Sequence, residues 1–120
     1  MTALLSYAVV GAVATAVHYA WLVAGVELGG WRPAWAAGTG AAIGAQVAYV
    51  GNRWLTFSHN GPWWRSWWRF QATALIGVAA SSTLVALGDQ AGVHYLLAQA
   101  VATMLAMLLT FAVNRRWAFN

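Results

Sequence analysis

The chain of 120 residues contains no cysteine and no lysine, and only two acidic residues, Glu27 and Asp89. Without cysteine it can form no disulfide, no thiolate metal site and no thiol nucleophile. Charged residues make up 7% of the chain and hydrophobic residues 62%, whereas a soluble domain has about 25% charged residues. Too few polar residues are present to cover a soluble domain, so lipid is the expected solvent.

All six basic residues are arginines, and the net charge is +4. They lie at the ends of apolar runs rather than along one face, which indicates anionic membrane lipids as partners and no nucleic acid. Five arginines fall in the central connection and the C-terminal tail, and only Arg32 falls on the opposite side with both acids. This bias predicts that both termini face the cytoplasm. The N-terminus lacks a charged segment before its first apolar run, so a cleaved signal peptide is not expected.

Four apolar stretches approach the length of about 20 residues that a spanning helix needs: residues 4–26, 34–51, 70–88 and 94–113. Ahead of the third stretch, Trp63, Trp67 and Phe70 recur at helical spacing between arginines, which predicts a short helix lying in the membrane interface. The expected fold class is therefore an all-α membrane protein with four transmembrane helices and a short interfacial helix before the third span.

The chain also carries an internal repeat. Asn52, Arg53 and Phe57 recur 62 residues later as Asn114, Arg115 and Phe119, and the same spacing places Glu27 on Asp89. Because each copy holds two spans, the copies should enter the membrane from the same side, as two parallel two-helix repeats. The whole chain, 1–120, is expected to be one transmembrane domain with repeat units of about 1–58 and 63–120.

The repeated ending places cations at one membrane face, where they could hold an anion. Guanidinium groups bind phosphate through paired hydrogen bonds, although arginine also suits helix C-termini and cytoplasmic flanks in general. The candidate lipid-phosphate ligands are Arg53, Arg115, Arg116, Asn52 and Asn114. Candidate interfacial head-group contacts, which could equally form an anchoring belt, are Arg65, Arg69, Trp64 and Trp68.

His18 is the ionisable residue farthest from any span end, roughly 21 Å into the first helix, and such groups are functional candidates by default. With Gln46 and Gln99 it could line an intramembrane polar path, or these side chains could simply hold helices together. Glu27 and Asp89 are candidates for an outer rim. The histidines and acids form no catalytic or metal-binding constellation, so we expect neither enzymatic activity nor a cofactor.

The chain resembles the GtrA family of small four-span membrane proteins. The resemblance lies in residues 10–18, in Arg69-Phe70, in residues 95–99 and above all in the endings NRWLTF and NRRWAF. The first ending departs from the family's usual Asn-Arg-Arg-Trp-Thr-Phe, having Trp54 and Leu55 in place of Arg-Trp. The resemblance implies transport of a polyprenyl-phosphate-linked monosaccharide across the cytoplasmic membrane, with the C-terminal copy dominating phosphate capture.

Two other functions remain open at this point. The protein could be a non-transporting scaffold for a membrane glycosyltransferase, which would need the arginines and tryptophans but not His18. A small multidrug-type exporter has similar size, but it relies on a glutamate within its first helix, whereas Glu27 lies at the helix end. Four helices are few to enclose a polar path, so a homodimer is expected.

Overall fold

The computed structural model describes residues 2–120, apart from the side chain of Tyr95. Over these residues it contains helices and no strands, which confirms the all-α prediction. Two π-helices, here π1 and π2, directly continue the second and fourth α-helices. The elements are α1 (Ala3–Glu27), α2 (Pro33–Gly51), π1 (Asn52–Thr56), α3 (Trp63–Gln90), α4 (Tyr95–Val113) and π2 (Asn114–Ala118).

Local sequence sets the helix starts. The Thr2 hydroxyl accepts a hydrogen bond from the backbone N–H of Leu5 at 3.2 Å, and Nδ1 of His94 accepts one from Leu96 at 3.2 Å. Both side chains thereby satisfy an N–H group that the first helical turn leaves open. Pro33 begins α2, where its missing N–H costs nothing.

Among the described residues, three helices are long and apolar enough to cross a membrane: Ala3–Glu27, Trp63–Gln90 and Leu96–Ala118. This confirms a membrane protein. The fourth predicted span, α2, has 19 residues and could reach about 28 Å, but it is not among these three, since its four glycines, Thr39 and Gln46 lower its hydropathy.

The short interfacial helix is not a separate element. Residues 63–70 are helical, but they form the first two turns of a continuous α3 of 28 residues. No glycine or proline lies between Trp63 and Gly77, so nothing in the sequence interrupts the helix there. At 1.5 Å per residue α3 is about 42 Å long, which exceeds a hydrocarbon core of about 30 Å.

The chain divides into two compact units, Met1–Asn60 and Gly61–Asn120, called here the N-terminal and C-terminal units. Each is an antiparallel helix pair whose second helix continues into a π-helix that contacts the first helix. In the second helices the bounds recur 62 residues apart: α2 begins at Pro33 and α4 at Tyr95, and π1 begins at Asn52 and π2 at Asn114. That the two units form one domain remains a prediction.

The first helices correspond at a different spacing, 63 residues. The Tyr7–Phe57 ring pair of the N-terminal unit (6.3 Å between centroids) is matched by Phe70–Phe119 (5.8 Å) in the C-terminal unit. The helix ends agree, since α1 ends at Glu27 and α3 at Gln90.

The turns account for the extra residue. Trp31 N–H donates to the carbonyl of Gly25, six residues back, whereas Val93 N–H donates to Gly88, five residues back. The predicted pairing of Glu27 with Asp89 is therefore wrong: Glu27 corresponds to Gln90. A single offset failed because the second turn is one residue shorter.

In the N-terminal unit, α1 and α2 pack through glycine. A Cβ placed on Gly40 would lie 2.9 Å from the His18 carbonyl oxygen, and one on Gly51 would lie 2.7 Å from Val10 Cγ1. The small-residue face seen in the sequence thus packs inside this unit, as close helix approach requires. In the C-terminal unit the close glycine is on the other helix, since a Cβ on Gly77 would lie 2.7 Å from Thr110 Cγ2.

Candidate lipid head-group site

In the N-terminal unit, the repeated Asn-Arg pair is buried. The side chains of Asn52 and Arg53 are 2% and 4% exposed. Thr56 Oγ1 donates to Asn52 Oδ1 at 2.7 Å and lies 3.2 Å from Ser6 Oγ. This chain of hydrogen bonds joins π1 to α1, so the amide of Asn52 contributes to packing.

Arg53 has buried surroundings of its own. Its Nη1 donates to the hydroxyl of Tyr49 at 3.4 Å, and Tyr49 is itself 2% exposed. The guanidinium therefore does not lie on the surface of the N-terminal unit. A ligand could reach it only if the unit opened.

The C-terminal copy of the ending is arranged differently. Asn114 is 1% exposed, like Asn52, but Arg115 and Arg116 are both exposed. Two cations that correspond in sequence, Arg53 and Arg115, thus lie in opposite environments. Only the second is free to contact a lipid head group.

Arg69 completes the cationic surface of the C-terminal unit. Its Nη1 donates to the carbonyl oxygen of Trp117 at 3.1 Å, and its guanidinium carbon lies 5.3 Å from the Trp117 ring centroid and 5.7 Å from that of Trp68. These distances are in the cation–π range. Nε of Arg69 is enclosed and has no hydrogen-bond partner among the described residues.

Arg65 lies at the same end of the C-terminal unit, because its Nη2 lies 3.4 Å from the backbone oxygen of Asn120. We call the resulting set the arginine–tryptophan cluster: Arg65, Arg69, Arg115, Arg116, Trp68 and Trp117. The one acid of this unit, Asp89, lies 20 residues beyond Arg69 on α3, or about 30 Å away along the helix. No acidic side chain of this unit therefore lies close enough to offset the positive charge of the cluster.

Further tryptophans of α3 surround the cluster. Trp64 stacks on Trp67 with ring centroids 5.4 Å apart, and Trp64 is 72% exposed. Amphipathic aromatic rings of this kind suit the head-group region of a bilayer. Trp117 is the contact that sequence reasoning missed, although its place in the second repeated ending could have indicated it.

The three residues of the predicted intramembrane path lie on three different helices, α1, α2 and α4, and the path remains a prediction. His18 packs against the backbone of Gly40 and Gly44, and its Nε2 is enclosed without a hydrogen-bond partner in the described part of the chain. Gln46 is exposed and donates to the carbonyl of Ala42 at 3.4 Å. Gln99 belongs to the other unit and donates to Thr103 Oγ1 at 3.0 Å.

The structure does group some polar residues that the sequence left scattered. A groove of about 420 Å³ in the C-terminal unit is lined by Ser81, Ser82, Val85, Ala86, Asp89 and Gln99. Asp89 and Gln99, predicted for different roles, thus share one site. Glu27, the other predicted rim residue, is exposed at the end of α1 in the N-terminal unit.

The fold and this site define a small all-helical membrane protein that presents arginines and tryptophans at one end of its second helix pair. The family model described as GtrA/DPMS, transmembrane domain, matches residues 6–119, and the chain belongs to this GtrA-like family. The GtrA/DPMS domain is typical of membrane proteins that handle glycosyl lipids. The family is generally considered non-catalytic. Searches of curated proteins and of solved structures gave no significant match.

Proposed function

We propose that this protein translocates a polyprenyl-phosphate-linked monosaccharide across the cytoplasmic membrane, and that the arginine–tryptophan cluster captures the lipid phosphate. The observation that carries the proposal is the exposure of Arg115 and Arg116 beside the Trp117–Arg69 contact. Guanidinium groups pair with phosphate oxygens, and tryptophans at the same level can contact the first isoprene units of the lipid. Family membership supports the glycosyl-lipid class of substrate.

The orientation follows the arginine bias. With α2 as a fourth span, both termini and the cluster lie on the cytoplasmic side, where lipid-linked sugars are supplied. The proposal assigns the two copies different roles: Asn52 and Arg53 hold the N-terminal unit together, and the C-terminal copy binds phosphate. A homodimer is part of the proposal, because four helices enclose little polar space.

The phosphate assignment is tested by binding of a short-chain polyprenyl phosphate to the purified protein in nanodiscs. The double variant Arg115→Ala, Arg116→Ala should bind at least about tenfold more weakly, since it loses two charge-assisted contacts. Arg32→Ala, which removes the exposed arginine that precedes α2 in the N-terminal unit, is the matched control and should bind as wild type does. Equal affinities for the double variant and wild type would contradict the proposal.

Transport itself is tested in proteoliposomes with a labelled polyprenyl-phosphate hexose. The double variant should translocate the lipid more slowly than wild type and the Arg32→Ala control. Wild-type protein that binds the lipid but leaves it in the leaflet where it was added would instead favour the scaffold function. Co-purification of a membrane glycosyltransferase would then support that alternative.

A further inference from the structure

The groove between α3 and α4 lies at the other end of the C-terminal unit from the arginine–tryptophan cluster. It runs from Asp89, the penultimate residue of α3, to Ser81 eight residues earlier, a length of about 12 Å along the helix. Gln99 faces it from the second turn of α4. Its volume of about 420 Å³ falls in the usual range of small-molecule sites.

The carboxylate and the amide of the lining are particular to this unit. By the helix correspondence given above, Asp89 takes the place of Val26 and Gln99 that of Ala37. The two serines have larger counterparts that also carry polar atoms, His18 for Ser81 and Tyr19 for Ser82. Hydroxyl, amide and carboxylate groups on a helix pair with apolar flanks call for a polar occupant, because such groups are costly against lipid tails.

We infer that, after the phosphate has left the arginine–tryptophan cluster, this groove binds the sugar of the lipid-linked substrate, and that it accepts an uncharged or amino sugar and excludes a uronic acid. The two sites act in sequence because Ser81, the groove residue nearest the cluster on α3, lies 12 residues beyond Arg69, or about 18 Å along the helix. The inference rests on the proposed function for the class of ligand. Two serine hydroxyls and the Gln99 amide can both donate to and accept from sugar hydroxyls, and the two oxygens of the Asp89 carboxylate can accept from two of them. None of the described residues that line the groove is a cation, so a sugar carboxylate would face Asp89 without compensation.

Cysteine accessibility can test this, because the chain has no native cysteine. Ser82→Cys and Val85→Cys place a thiol in the groove, the second by replacing an apolar lining residue. Leu87→Cys is the control, since Leu87 is 55% exposed on the same stretch of α3 but does not line the groove. The rate of labelling by a water-soluble maleimide is measured in nanodiscs, with octyl glucoside or octyl glucuronide added as the probe. The two probes are compared at equal membrane-bound concentrations that leave the discs intact.

Octyl glucoside should slow labelling of both groove cysteines and leave the Leu87→Cys rate unchanged. Octyl glucuronide should slow labelling of the groove cysteines about fivefold less than octyl glucoside does, because its carboxylate approaches Asp89. Adding Asp89→Asn to either groove cysteine should bring the protection by the two glycosides to within about twofold.

If neither glycoside slowed labelling of the groove cysteines, the inference would be overturned. It would also be overturned if both glycosides slowed labelling equally while Asp89 is present. Because neither probe contains phosphate, these results do not depend on the arginines. Failure of the phosphate proposal would appear separately, as unchanged polyprenyl-phosphate binding by the Arg115→Ala, Arg116→Ala variant.

Discussion

The two units share one plan of elements but place their polar groups differently. In the N-terminal unit, Arg53, Asn52 and Ser6 are buried and take part in packing. In the C-terminal unit, Arg115 and Arg116 are exposed at one end, and a polar groove opens near the other. The two helix pairs thus share a framework, while the C-terminal pair has exposed arginines in its repeated ending and a groove lined by polar residues.

Position 69 illustrates how the difference arises. Arg69 corresponds to Ser6, and Trp117 to Leu55. In the N-terminal unit a serine at this position reaches Thr56 by a short contact of 3.2 Å. In the C-terminal unit the position of Thr56 is taken by Ala118, and the longer arginine donates to the carbonyl of Trp117 instead. At this position the first helix thus contacts its π-helix through a serine in one unit and through an arginine in the other.

The largest effect should come from removing the buried cation. We expect Arg53→Ala to lower the free energy of unfolding by about 3 kcal/mol, because it removes a charged hydrogen bond to Tyr49 and a packed side chain. Polyprenyl-phosphate affinity per folded molecule should stay unchanged. Unfolding in mixed micelles and binding in nanodiscs measure the two quantities. A stable Arg53→Ala protein with lost affinity would show that the N-terminal copy also binds phosphate.

A glycine pair on α2 tests the close packing that is specific to the N-terminal unit. Gly40→Ala should destabilise the fold by about 2 kcal/mol, because the new Cβ would meet the backbone oxygen of His18, which cannot move aside alone. Gly38→Ala is the control: nothing lies within 4 Å of a Cβ at that position, so it should be neutral or up to about 1 kcal/mol stabilising. Chemical unfolding measures the stability of both variants, and equal stabilities would count against the glycine-mediated contact.

The smallest expected effect concerns the tryptophan next to Arg69. Trp117→Leu gives this position the residue of the N-terminal unit and removes one cation–π contact, so polyprenyl-phosphate affinity should fall about threefold. Trp54→Leu, which alters an exposed tryptophan of the N-terminal unit, should leave the affinity as it is. A loss of the same size in both variants would point to general membrane anchoring by tryptophan.

Much of the architecture could be read from the sequence. The apolar runs predicted the helices, and the repeated Asn-Arg endings indicated the repeat. That these endings form π-helices was not predicted; the N–H groups of Phe57 and Phe119, the residues that follow them, both donate to the asparagine carbonyl five residues back. The one-residue difference between the turns could not be seen, because apolar helices offer few identities to fix an alignment. The start of α3 was missed since an interfacial segment and a spanning helix have the same backbone periodicity.

By itself, the sequence determined that this is a helical membrane protein of the GtrA-like family with five of its six arginines in the central connection and the C-terminal tail, because hydropathy, helix length and charge placement are local properties of the chain. Only the tertiary structure decided which arginine is buried and which is exposed, and which polar residues share a groove. Those outcomes depend on how each helix is rotated against its neighbour, and close contacts at Gly40, Gly51 and Gly77 set that rotation. Equivalent residues in a repeat can therefore have unequal roles.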